Sequence, residues 1–228
     1  MINYTVHRYV LLLALILLLP VSGRAADFQS VLAGIDRYYE SISSLHASFT
    51  QVVEVPALEK SDNFSGTLFF LKPNLIRLEY VKPKGQLLVA DGTDWWFYMP
   101  QQEIPQVLRA PMQGKGGDAP VYVLGGRMAE RFSGSLLGTE PRGGSECYML
   151  NLEPRDGKAY YRTLRAWVDR TTFATRAIRY QDETGNFNTF DLNESSKDFM
   201  PQPELFSFTP PADAQVLQAE SPDGSPVP

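Results

Sequence analysis

The sequence predicts a mainly β fold with some α: an unclosed antiparallel β-barrel of about ten or eleven strands, capped by lid helices. Three observations predict it. From His46 onward, apolar and polar residues alternate with a period of two in short runs. Turn signals punctuate those runs, among them Lys72-Pro73-Asn74, Lys82-Pro83-Lys84-Gly85 and Asp91-Gly92. One strongly amphipathic helical pattern stands ahead of them all. A single twisted sheet of that many strands curls or closes, and an apolar helix face must cover something.

The elements follow in order. Residues 1–25 read as a secretory signal peptide: a short start carrying Arg8, an apolar run from Tyr9 to Leu19 ended by Pro20, and small residues leading to cleavage after Ala25, with Ala26 the alternative. The apolar run is shorter than the roughly 20 residues of a membrane-spanning helix. Residues 26–218 read as one domain, and 219–228, rich in Pro, Gly and Ser, as a disordered tail. Asp27 is a natural N-cap, and Phe28, Val31, Leu32, Ile35, Tyr39 and Ile42 recur at helical spacing, so a helix is expected over 28–43. Strands are expected from His46 to about 55, then at 64–71, 75–81, 86–90, 94–99 and near 105–109. Pro and Gly loosen 101–120, and 121–132 reads as a short helix. Further strands are expected at 146–153, 160–169, 174–182, 186–194 and 204–208, with hairpins at Asp169-Arg170 and Glu183-Thr184-Gly185.

Charge and motif content argue against several functions. The whole chain carries −5, and the leader would take away two arginines and no acid. A chain this acidic does not point to nucleic acid or to a polybasic membrane patch. Its one cysteine, Cys147, can form no internal disulfide and reads as a buried, inert thiol. Of two histidines, His7 leaves with the leader and His46 stands alone, so no metal site is expected. None of the nucleophile-elbow, phosphate-loop or zinc-protease motifs occurs, and Ser133-Gly134-Ser135 lacks the elbow spacing. Acids such as Glu79, Asp182, Glu183 and Glu194 read as solvated. No enzyme activity and no cofactor are expected.

Strand parity sorts the apolar residues. Ile76, Leu78 and Tyr80 share one face of their strand, with Arg77 and Glu79 on the other as a surface ion pair. Leu68 pairs with Phe70 in the same way, while Trp95-Trp96-Phe97-Tyr98 loads both faces. Composition alone makes a side-chain-filled interior the ordinary outcome.

Motifs in order along the chain resemble the LolA family of periplasmic outer-membrane lipoprotein carriers. They are Ser43-Ser44-Leu45-His46-Ala47-Ser48-Phe49-Thr50-Gln51; Gly66-x-Leu68 with Lys72-Pro73-Asn74-Leu75; Leu88-Val89-Ala90-Asp91-Gly92 with Trp96-Phe97-Tyr98 and Pro100; and Phe206-Ser207-Phe208-Thr209-Pro210-Pro211. The resemblance implies a monomeric periplasmic carrier with an apolar cavity for the acyl chains of lipoproteins. On this reading Phe49, Leu68, Phe70, Ile76, Leu78, Tyr80 and Trp96 line the cavity. Cargo comes from an inner-membrane ABC lipoprotein-releasing complex of LolCDE type and goes to a LolB-like outer-membrane receptor where one exists. A LolA-like paralogue serving another periplasmic lipid or lipid-linked polymer is the alternative. The family holds its lid with a basic residue, typically Arg, just before a Pro at this strand entry. Lys72 takes that place, a point charge instead of a planar fork. Two further departures are Ile76, where members commonly carry an aromatic, and Ala212, where Gly is more usual.

Overall fold

Asp27 starts the first helix. Its carboxylate accepts the Ser30 N–H at 2.7 Å, and the Ser30 hydroxyl takes the Asp27 N–H in return, a reciprocal cap for two donors the helix cannot satisfy itself. The structure is a computed structural model and describes residues 26–112, 127–155, 161–182 and 184–218. The expected leader, the loop from 113 to 120, the first half (121–126) of the helix expected at 121–132, Glu183 of the expected hairpin and the tail from 219 lie outside the described residues. Helix α1, Phe28–Ser41, buries Val31, Leu32, Ile35, Tyr38 and Tyr39. It ends at Ile42, which is already extended.

Among the described residues twelve strands form one sheet. The first half runs β1 Ser44–Val55, β2 Lys60–Leu71, β3 Leu75–Lys82, β4 Leu87–Ala90, β5 Asp94–Met99 and β6 Gln106–Pro111. The second runs β7 Phe132–Arg142, β8 Ser145–Pro154, β9 Tyr161–Asp169, β10 Thr175–Asp182, β11 Phe187–Lys197 and β12 Gln215–Gln218. A four-residue helix α2, Met128–Arg131, precedes β7. The order across the sheet is β12-β6-β5-β4-β3-β2-β1-β11-β10-β9-β8-β7. Every pair is antiparallel except β12 with β6. The sheet is therefore unclosed, with β12 and β7 as its two edges. The mainly β, helix-capped fold read from the sequence is the one observed.

Three local expectations need correction. Residues 204–208 form no strand: Pro203–Phe206 is a 3-10 turn, buried through Phe206. It belongs to a strap laid over the outer face, where Leu205 O accepts from Arg77 Nη1 at 3.1 Å and Phe208 packs on Trp96 and Tyr98. Arg77 is therefore largely covered, although its ion pair with Glu79 is present at 2.7 Å. The strap then delivers β12 to the edge of β6. Second, β7 was not among the expected strands. Gly134 lies where any side chain would overlap the Asn151 carbonyl, and Gly138 sits at a register shift, both at positive φ. Third, described helix in the 121–132 region is confined to Met128–Arg131.

The sheet's faces are segregated. Leu45, Ala47 and Phe49 of β1 share one apolar cluster with Leu68, Leu78, Leu164, Ile178 and the buried face of α1. A smaller cluster of Cys147, Trp167 and Ala177 lies apart from it, with Cys147 buried as expected. Gly66 sits between β1 and β3 at a register shift, and a Cβ there would overlap the Glu79 carbonyl and press on the Phe49 ring at 2.8 Å. Gly66→Ala is expected to lower unfolding free energy by about 1–3 kcal/mol through overpacking, read as a lower urea midpoint at unchanged slope.

Candidate functional site

The concave face of the sheet and the helix that covers it make up the candidate site. Cross-strand registers assemble the face: Phe49 opposite Gly66, Gly66 opposite Tyr80, Leu68 opposite Leu78, and Phe70 opposite Ile76. Phe49, Leu68, Phe70, Ile76, Leu78 and Tyr80 all join the inner cluster, none more than 8% exposed. Trp96 does not join them. In β5 it is Trp95 that faces inward, opposite Ala90 and Ala110. Trp96 lies on the outer face, where its indole N–H donates to Asp91 at 2.7 Å, Arg109 sits 5.0 Å over its ring and Phe208 covers it. A run of four aromatics carries no alternation from which parity can be read, so the expectation fell on the wrong one of two adjacent tryptophans.

Helix α1 lies over this face and is tied to it by polar contacts at its margins. Lys72 is at the rim, one residue past the Ser44–Leu71 pair, and its Nζ donates to the Glu40 carbonyl at 2.9 Å. Glu40 is in the last turn of α1, where carbonyls have no partner within the helix. A cation there also meets the negative end of the helix dipole. Beside it, the Asp198 carboxylate accepts the Ser43 N–H at 2.6 Å and hydroxyl at 2.9 Å. The Ser43 backbone and then its hydroxyl hold this carboxyl below its usual range, with Lys197 and Lys72 adding to the effect.

Other ties were not legible in advance. Glu194, expected to be solvated, accepts a short hydrogen bond from the Tyr38 hydroxyl and is largely covered. Burial first, and that bond second, push the Tyr38 phenol far up. Lys197 sits 4.3 Å over the Tyr38 ring. Asp36, on the polar side of α1, accepts from the Met128 N–H at 2.6 Å and the Ala129 N–H at 3.3 Å, and so holds α2. Gly34 leaves a gap in α1 that the Phe173 ring fills, since a Cβ on Gly34 would overlap that ring.

Phe173 stands at φ 62° in the β9–β10 turn, and the turn is built on Asp169. Its carboxylate accepts from Thr171 N at 2.9 Å, Thr172 N at 3.0 Å and Arg176 at 2.9 Å. Burial alone would raise this carboxyl. Donation from Thr172, Arg176 and Thr171 outweighs it and holds the group well below the carboxylate range.

Chemically, the arrangement offers apolar surface under a helical cover. Among the described residues no group of three or more His, Cys, Asp or Glu is placed to hold a metal. No described helix is long and apolar enough to cross a membrane. His46 stacks on Phe69 at 4.9 Å, away from the inner cluster.

The family model of the outer membrane lipoprotein carrier protein LolA matches residues 40–209. The outer-membrane lipoprotein carrier protein of Alkalilimnicola ehrlichii is 28% identical over 211 residues, covering 92% of this chain and 94% of that protein. Its namesake from Neisseria meningitidis serogroup B is 26% identical over 183 residues, covering 80% and 84%. An uncharacterized conserved protein from Thermus thermophilus shares the fold, with a TM-score of 0.53 at 15% identity over 84% of this chain and 98% of that one.

The Asp169 turn sets a pH dependence. A folded-state pKa held below the unfolded value contributes stability that is complete above the unfolded pKa and is lost as pH falls toward the folded one. Asp169→Asn is therefore expected to destabilise by about 3 kcal/mol at pH 7. The difference from the parent should shrink as denaturation is followed from pH 5 toward pH 2. A difference that stays constant over that range would show that the charge on Asp169 is not what holds the turn.

Proposed function

The chain belongs to the LolA family of outer membrane lipoprotein carrier proteins, and we propose on that premise that it is a non-enzymatic periplasmic carrier. It binds the acyl chains of lipoproteins released from the inner membrane and delivers them to the outer membrane. Residues 26–218 act as one lipid-binding unit after removal of the leader. Its donor is an ABC releasing complex of LolCDE type, and its acceptor a LolB-like receptor where one exists.

The observation that carries this reading is the apolar concave face covered, among the described residues, by α1. Exposed acyl chain costs about 0.8 kcal/mol per methylene in water, so a lipoprotein does not cross an aqueous compartment unescorted at a useful rate. The inner face is already buried under α1, so cargo enters only as α1 moves aside. An acyl chain that replaces α1 restores apolar contact to Phe49, Leu68, Phe70, Ile76, Leu78 and Tyr80. Displacement by lipid is therefore far less costly than opening into water, and the marginal polar ties of α1 set the balance between the two states.

Two outcomes follow. The purified mature chain, incubated with its releasing complex, ATP and membranes carrying radiolabelled lipoprotein, is expected to draw the label into a soluble complex; label that stays in the pellet overturns the carrier reading. Lys72 acts on the other half of the cycle. Its bond to Glu40 favours the closed, empty state, so its loss weakens the drive for α1 to return and expel cargo. One exposed bond to a helix end is worth about 0.3–1 kcal/mol. Lys72→Leu should therefore load normally and hand cargo to acceptor membranes roughly two- to fivefold less completely. Undiminished handover would remove Lys72 from the latch.

A further inference from the structure

The inner face is not apolar along its whole length. Gln51 lies two residues beyond Phe49 on β1, opposite Phe64 of β2 and Phe190 of β11. That places it seven residues along β1 from Ser44, roughly 20 Å from the rim where Lys72 meets α1. The Gln51 side chain accepts from the Tyr80 hydroxyl at 3.2 Å and donates to the Asn188 side-chain oxygen at 3.2 Å. Gln51, Asn188 and Tyr80 are all buried. Tyr180 pairs with Asn188 across the strands and lies close enough to Tyr80 to act on its titration. Half-buried Phe64, Phe190 and Tyr161 surround the group, so it sits where the concave face opens to solvent.

A polar group placed on an apolar face is costly unless its hydrogen-bonding capacity is met. Here the protein meets it only in part and solvent meets the rest, since none of these groups is among the buried side-chain atoms left without a partner, which among the described residues are the Tyr39 hydroxyl and the Thr175 hydroxyl. Gln51 spends one amide hydrogen on Asn188, while no described protein group takes the other, the two amide hydrogens of Asn188 or the Tyr180 hydroxyl. These amide hydrogens and the Tyr180 hydroxyl are donors, and a ligand that replaces their water can accept from them. Burial pushes the Tyr180 phenol up to about 12, with Asp182 adding to the effect, so it stays a donor at any physiological pH. The charge that Tyr180 feels is a carboxylate, which disfavours an anion. The ligand groups that suit these donors are neutral acceptors.

We infer that Gln51, Asn188, Tyr80 and Tyr180 form a binding subsite for the neutral carbonyls, ester or amide, that join acyl chains to their head group. This rests on the carrier reading and deepens it. Acyl chains would run from this belt toward the region covered by α1, with the head group at the open end. The carrier would then prefer acyl esters and amides to ethers or free fatty acids of equal chain length.

The test compares lipids that differ only at the carbonyl. Displacement of a fluorescent apolar probe from the mature chain is measured with 1-dodecanoylglycerol, with 1-O-dodecylglycerol and with dodecanoate, all below their micellar concentrations. The ester is expected to bind about five- to tenfold tighter than the ether, on the scale of one net hydrogen bond, and dodecanoate no tighter than the ether. Gln51→Leu should remove the difference between ester and ether. Tyr80→Phe, which keeps the ring and removes one hydroxyl, should reduce the preference even if Gln51→Leu does not fold. Equal binding of ester and ether by the parent, a preference untouched by the folded variants, or tighter binding of dodecanoate would overturn this inference alone. Failure of all three lipids to displace the probe would overturn the carrier reading with it.

Discussion

A sheet that presents a continuous apolar face must have that face covered, and here the cover is α1. The helix has 14 residues, or about 21 Å at 1.5 Å per residue. Its buried side is the part of the sequence that the inner cluster cannot do without, because Val31, Leu32, Ile35 and Tyr39 are almost wholly inaccessible. The rest of the architecture serves this contact. The Asp169 turn presents Phe173 to the gap at Gly34, Glu194 near the end of β11 accepts from Tyr38, and Lys72, one residue past β2, donates to the Glu40 carbonyl. These ties come from separate elements and meet the helix at its margins, while the middle is held by apolar contact.

Much of this was legible because period two is a local property. Residues that alternate within one strand declare their faces without reference to any partner, which is why Leu68, Phe70, Ile76, Leu78 and Tyr80 could be placed together from the sequence. The failures share a different cause. Trp95 and Trp96 are adjacent in an unbroken aromatic run, and only the pairing of β5 with β4 and β6 decides which of them faces inward. Glu194 looked solvated because its partner, Tyr38, is 156 residues away. Gln51 and Asn188 continue the inner parity of their strands as polar residues, and 137 residues separate them. Strand β7 carries glycines whose purpose shows only when Asn151 is brought alongside. The resemblance to a known family singled out Lys72, whose bond to the Glu40 carbonyl no local pattern could have shown.

The two ends of the concave face differ in chemistry. Near the Lys72 rim the face is aliphatic and aromatic and meets the apolar side of α1. Farther along β1 it turns to amide and phenol groups with donors to spare. A uniform apolar surface would hold an acyl chain at any depth and in either direction, because the hydrophobic effect is not directional. Hydrogen bonds at one end add direction at little cost in affinity, so this change of lining along the barrel would give a bound lipid a preferred orientation.

A helix suits the moving part of the proposed carrier because of where backbone hydrogen bonds lie. Each inner strand of the sheet satisfies its N–H and C=O groups through its neighbours, so withdrawing a strand would leave two rows of polar groups unpaired. A helix keeps its own bonds wherever it goes. Moving α1 breaks side-chain contacts and a few marginal ties, Lys72 with Glu40, Tyr38 with Glu194 and Asp36 with α2, and leaves the ladder intact. Most of what is then lost is apolar contact, and that is the one kind of interaction an acyl chain can replace. A strand in the same position would ask the ligand for hydrogen bonds that a hydrocarbon does not have.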